Sequence, residues 1–148
     1  MSKRISQSDV YHLQPAILKS LIGLGDAAAS DLEHSLIHLV KLRASQINSC
    51  AFCQHMHANE ARKDGEQQHR LDVLPAWREV DIFSARERAA LAWTEALTLI
   101  ADEAVSDEIY AATAQHFSDI ELVNLTAAIV TINAWNRIAV GFHFSPNF

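Results

Sequence analysis

Three times this chain writes Ser-x-x-Glu and follows it with apolar residues at helical spacing: Ser30/Glu33, Ser84/Glu87 and Ser118/Glu121. In such a box the serine side chain accepts a free backbone N–H of the first turn, and the glutamate reaches back to the serine's own N–H. Each box therefore predicts a helix start. Leu32, Leu36, Leu39, Val40 and Ile47 mark one stripe, and Ala89, Ala90, Trp93, Ala96, Leu97 and Ile100 another. No stretch alternates with the period of two that a half-buried strand needs. Shorter helices are expected at roughly 14–22, with Pro15 in the first turn, then at 50–64 (Gly65 as the stop), 67–73 and 107–116. A last helix over roughly 119–140 is apolar around much of its girth, which places it in the core or at a subunit interface. The expected fold is all-α: a single-domain bundle of about six or seven helices spanning 1–148, with residues 1–12 loosely held.

Composition narrows the function. At 148 residues, 49% hydrophobic and 20% charged, the chain is an ordinary globule able to bury one sizeable core. A formal net charge of −6 argues against nucleic acid or an anionic membrane as the partner. Met1-Ser2-Lys3-Arg4-Ile5-Ser6-Gln7 leads into no apolar signal segment, and Leu122–Val130 is broken by Asn124 and Thr126. The expected location is the cytoplasm. There a structural disulfide is rare, and a closely spaced cysteine pair is more often catalytic or metal-binding.

The chain has only two cysteines, and they lie together in Cys50-Ala51-Phe52-Cys53, with His57 beyond them. On a helix the spacing i, i+3, i+7 stacks all three on one face. Thiols one turn apart fall within the roughly 4.4–6.8 Å Cα separation that a disulfide accepts. An imidazole one turn past Cys53 can take that thiol's proton, so the trio reads as a redox dithiol with its own base. Asn48-Ser49 interrupts the preceding helical pattern, and Ser49 is the expected N-cap. Cys50 and Cys53 would then be the first and fourth helical residues, where free N–H groups favour a thiolate. His57 favours Cys53 as the attacking sulfur, and the helix terminus favours Cys50. If the two helices run antiparallel, His57 lies ~13 Å past the turn and His38 ~15 Å before it, which would make the imidazoles neighbours. Two rival readings stand beside this one. The cysteines can be small buried apolar residues, or Cys50, Cys53, His57 and His69 can bind zinc, although the second closely spaced histidine of the usual zinc pattern is missing. His38, beside Leu36, Leu39 and Val40, also fits a core histidine, and Glu95, Asn133 and Asn136 fit either pocket-lining groups or bonded core groups.

Residues 38–61, from His38 through Cys50-Ala51-Phe52-Cys53-Gln54-His55-Met56-His57 to Ala61, resemble the signature of the carboxymuconolactone decarboxylase superfamily. Within it they resemble the AhpD-like alkylhydroperoxidase branch, as do Ala92-Trp93-Thr94-Glu95-Ala96-Leu97 and Ile132-Asn133-Ala134-Trp135-Asn136-Arg137. The resemblance implies an all-helical fold assembled as a trimer or hexamer. It also implies a thiol peroxidase that needs no metal, haem or flavin and is re-reduced, in some members, by a lipoyl-bearing protein. Cys50 and Cys53 match the redox pair, and His57 matches the relay histidine. The family's glutamate twelve residues before the first cysteine is replaced here by His38, a second base where a carboxylate is usual. The expected activity is reduction of organic hydroperoxides or hydrogen peroxide through a CxxC dithiol–disulfide cycle, with His57 assisted by His38 and an external dithiol as reductant. The alternatives are a protein dithiol–disulfide oxidoreductase or redox sensor, and a non-catalytic helical oligomer module with a relic CxxC.

Overall fold

Residues 3–148 are described by a computed structural model, and among them the chain is all-helical, with no strand. The helices are α1 (Gln7–Leu13), α2 (Pro15–Ala29), α3 (His34–Ile47), α4 (Ala51–Lys63), α5 (Gln68–Val73), α6 (Ala85–Thr98), α7 (Asp107–Ala114) and α8 (Asp119–Phe142). A 3-10 segment, Leu74–Glu79, follows α5. None of these helices is long and apolar enough to cross a membrane.

Helix α3 is the central element because it carries apolar residues on two faces. Leu36, Ile37 and Val40 face α6 and α8, where they meet Ala90, Trp93, Leu125 and Ile129. Leu39 and Leu42 face the other way, onto Ala61 of α4, Leu71 of α5, Leu74 and Trp77 of the 3-10 segment, and Leu91 of α6. Each fully buried leucine contributes about 1.5–3 kcal/mol relative to an exposed one, so α3 joins two cores into one domain. Helix α2 lies along α8, and α7 closes over α6.

The helix boundaries depart from the sequence expectation at several points. Among the described residues there are eight α-helices rather than six or seven. The additional one is α1, in the stretch 1–12 expected to be loose; residues 1 and 2 lie outside the described residues. Ser6 caps α1 by accepting the Asp9 N–H at 3.1 Å, Val10 is buried, and the Arg4 guanidinium donates to the carbonyls of Val140 and Gly141 at the end of α8. Helix α2 runs on past residue 22 to Ala29, through Gly23 and Gly25. Its last turns are built from Ala27, Ala28 and Ala29, the residue type with the highest helix propensity.

That extension also undoes the first capping box. Ser30 ends α2, with its hydroxyl bonded to the Ala27 carbonyl, and Glu33 is the N-cap of α3 with no side-chain cap bond. The Glu33 carboxylate instead forms a two-point pair with Arg86, at 2.9 and 3.0 Å. The other two serines cap as expected. Ser84 accepts the Glu87 N–H, and Ser118 with Glu121 makes the full reciprocal box.

Arg86 joins the starts of three helices, since it bonds Glu33 before α3 and Glu121 in α8 from its own place in α6. The bond from Arg86, supported by the Ser118 N–H, lowers the Glu121 carboxyl to about 2. A carboxyl whose folded pKa lies below its unfolded value stabilises fully above the unfolded value, near 4.3, and loses that contribution as pH falls toward about 2. Urea unfolding midpoints of wild type and Glu121→Gln, taken between pH 7 and pH 2, are expected to differ at neutral pH and to converge only as pH falls to about 2. A constant offset across that range would show that Glu121 acts through packing alone.

Candidate active site

The chain leaves α3 at Asn48 and reverses through Ser49, whose φ of 53° lies in the left-handed region. Such a residue cannot cap a helix, because the N-cap position needs extended backbone. The cap therefore falls one residue later than expected. Cys50, at φ −90° and ψ 95°, is the N-cap of α4, and its sulfur accepts the Cys53 N–H at 3.2 Å. Cys53 becomes the third helical residue, still within the first turn where backbone N–H groups are free.

Side chains from α8 fix this turn. Asn48 donates to Asn136 at 2.9 Å and to Asn133 at 3.0 Å. Asn136, wholly buried, donates in turn to the Ser45 hydroxyl at 3.0 Å. Asn133 also donates to Thr98 of α6. The two asparagines, read from sequence as pocket or core groups, are the fastening of the CxxC turn. Glu95 is placed elsewhere: Arg43, Trp77 and Arg78 all donate to it. Burial opposes its ionisation, but those donors hold its carboxyl below the ordinary range.

Cys50 and Cys53 are joined by a disulfide with a Cα separation of 5.2 Å, each 2% exposed. Beside them lies a cavity of about 500 Å³ between α1, α2, α3, α4 and α8. Its walls are mostly apolar, with Leu18, Leu21 and Ile22 from α2, Phe52 and Met56 from α4, and Trp135 from α8. Tyr11 and Phe144 close one side, their rings 6.1 Å apart and edge-on to each other. Cys53, His57 and Glu60 succeed one another along the α4 wall, whereas Cys50 lies behind it and does not line the cavity.

His57, 5% exposed, shares a 3.0 Å hydrogen bond between its Nδ1 and the Oε2 of Glu60. That bond, against the opposing effect of burial, lowers the Glu60 carboxyl below its usual value, and the charge of Lys41 acts in the same direction. An ionised carboxylate has no hydrogen to give, so Nδ1 is the donor and Nε2 of the neutral ring is left as an acceptor.

His38 is held differently. Its Nε2 bonds the Asp64 carboxylate just past the end of α4 at 2.6 Å, its Nδ1 is buried without a partner, and it does not line the cavity. The two imidazoles expected to adjoin each have a carboxylate of their own. Glu60 was missed from sequence. Its signal was legible as His-x-x-Glu, the i, i+3 spacing that brings side chains together on a helix. Among the described residues no group of three or more His, Cys, Asp or Glu side chains is arranged to hold a metal ion, and His69 does not approach the cysteines' cavity.

With this geometry in place, comparison with known proteins is informative. The model of the carboxymuconolactone decarboxylase family matches residues 15–96, which include α2, α3, the CxxC turn and α4. The chain belongs to this family. Within it the chain falls in the AhpD-like branch. It is 38% identical to the uncharacterized protein YdfG of Bacillus subtilis, over 95% of this chain and 94% of that one. A solved structure from Agrobacterium tumefaciens, described as a protein of unknown function and a candidate antioxidant-defence AhpD, superposes with a TM-score of 0.91 at 41% identity. That match covers 99% of both chains. The debrominase Bmp8 shares the fold at 15% identity, with a TM-score of 0.78 over 92% of this chain and 73% of its own.

Because Asn136 bonds both Asn48 and Ser45 in the buried turn, Asn136→Ala removes two hydrogen bonds there, leaving Asn48 only Asn133 and Ser45 only the Lys41 carbonyl. It is expected to lower unfolding free energy by about 2 kcal/mol in urea titration. A loss under about 0.5 kcal/mol would mean that the turn is set by local backbone preference instead.

Proposed function

We propose that this family member is a thiol peroxidase that reduces organic hydroperoxides, or hydrogen peroxide, through the Cys50–Cys53 dithiol–disulfide cycle with His57 as proton acceptor. One observation carries the reading: Cys53 forms part of the wall of an apolar cavity beside His57, while neither sulfur is open to the surface. A small hydroperoxide can enter such a space, whereas the disulfide of a folded client protein cannot be brought up to the sulfur. The antioxidant-defence description of the Agrobacterium protein supports the same reading.

The steps balance as follows. His57 Nε2 takes the proton of the Cys53 thiol, and the thiolate attacks the terminal oxygen of ROOH. The O–O bond breaks, Cys53 becomes a sulfenic acid, and the departing alkoxide takes a proton to leave as alcohol. The Cys50 thiol then attacks the sulfenic sulfur, expelling water and forming the disulfide. An external dithiol returns two electrons and two protons and is itself oxidised to a disulfide. A lipoyl group on a carrier protein suits that role, since its narrow arm ends in a dithiol and can reach sulfurs that a protein surface cannot. In this reading the enzyme works in the cytoplasm as a homo-oligomer, trimer or hexamer. The exposed Ile120, Val123 and Val130 of α8 offer an apolar face for assembly.

The same fold in a debrominase shows that the scaffold alone does not choose the reaction, so the test is chemical. With dithiothreitol as reductant, the wild type is expected to consume tert-butyl hydroperoxide catalytically. Cys53→Ser should abolish turnover, Cys50→Ser treated with peroxide in the absence of dithiothreitol should stop after one oxidation with a sulfenic acid on Cys53, and His57→Ala should slow the reaction by about 10²-fold or more. Rapid exchange with disulfides without peroxide turnover would make the protein a dithiol oxidoreductase. Inert thiols would make the CxxC a relic.

A further inference from the structure

We infer that Glu60 is the carboxylate of the proton relay, a positioning residue that acts through His57 from the same helix, in place of any group at position 38. The inference rests on the Cys53–His57 pairing of the proposed cycle.

It follows from the geometry of α4 and from the two tautomers of a neutral imidazole. Only the ring with its hydrogen on Nδ1 presents a bare Nε2 to a thiol. In water the two forms interconvert freely, but His57 is 5% exposed, and Glu60 is the hydrogen-bond partner of its Nδ1. Residues 53, 57 and 60 stand at i, i+4 and i+7, so sulfur, imidazole and carboxylate follow one face of α4 in the order a relay requires. The outer end of that row reaches water: the His57 side chain is 7% exposed and that of Glu60 45%. Glu60 can thus hold the ring, stabilise the imidazolium while it carries the thiol's proton, and connect the ring to solvent.

The other charged groups around this row leave the assignment to Glu60. From α3, Lys41 lines the cavity and favours the ionised carboxylate, and His38 lies outside the cavity. From α2, Asp26 lines the cavity, and from α1, Tyr11 does. The α8 wall, made of Ala128, Thr131, Ile132, Trp135 and Ala139, contributes no charge. His38 is bound to Asp64 through Nε2, and its remaining nitrogen bonds nothing.

The test reads the thiol and the ring, not peroxide turnover, so it stands or falls apart from the peroxidase reading. In a Cys50→Ser background, where serine can still cap α4 and Cys53 is the sole thiol, iodoacetamide alkylation is followed from pH 6 to 9.5. Adding Glu60→Gln is expected to slow alkylation about tenfold at pH 7. The gap should close to within about twofold at pH 9.5, where a thiol ionises without help. Glu60→Asp, which keeps the charge, should recover part of the rate at pH 7. In parallel, nitrogen NMR of the reduced protein should show His57 protonated on Nδ1, with the Nε2 form growing in Glu60→Gln. Alkylation rates at pH 7 within twofold of one another, a rate loss equal at every pH, or an Nε2-protonated ring in the parent protein would overturn the assignment.

Discussion

The buried amide of Asn136 is the contact on which the active-site geometry depends. It reaches from α8 to Asn48 and Ser45 at the end of α3, and so fixes where the chain turns. The turn sets the residue at which α4 begins, and the start of α4 decides which sulfur caps the helix and which faces the cavity. An apolar residue at 136 would fill the same volume without specifying that register. Buried polar groups that are fully bonded discriminate between nearby backbone arrangements, because each alternative leaves a donor or acceptor unsatisfied in a medium that penalises it by about 1–3 kcal/mol. Ser49 shows the strength of the constraint. A non-glycine residue in the left-handed region is intrinsically disfavoured, yet the turn holds it there.

Much of the fold was legible in the chain, because local signals agreed with global ones. Ser84 and Ser118 precede apolar spacing and do cap α6 and α8. Ser30 precedes apolar spacing equally well, yet Ala27–Ala29 continue α2 up to it, and Glu33 is drawn away to Arg86. A capping box is a local pattern, and a neighbouring helix or a long-range ion pair can take either of its members. Helix α1 was unreadable for a related reason. Its seven residues are too few to be stable alone, and what holds it is Arg4 reaching the end of α8, a contact 136 residues away in sequence.

The candidate site divides along the same line. Cys50, Cys53 and His57 share one helix, so their spacing alone put them on one face. The link between His57 and His38 was reasoned from equal distances along two antiparallel helices. Rise per residue locates a side chain along the axis and leaves its rotation about that axis open. In the fold the His38 Nε2 bonds Asp64, and the His57 Nδ1 bonds Glu60. The carboxylate that does serve His57 stood three residues further along α4, within the range where helical spacing is dependable. Attention to the distant position 38 hid the nearer Glu60.

Confinement to one helix also bears on the proposed cycle. The disulfide spans one turn, with Cα atoms 5.2 Å apart, a separation that an unstrained first turn already provides to reduced thiols. Closing a loop this short removes little freedom from the unfolded chain, so oxidation changes global stability far less than a bridge between distant segments would. The His57–Glu60 bond lies one to two turns further along, and it is formed with the sulfurs joined. In the proposed cycle the imidazole and its carboxylate are thus already paired in the oxidised state, before the dithiol is restored. The rest of the molecule, from the double-faced α3 to the asparagines of α8, is required only to hold the first three turns of α4 against an apolar space.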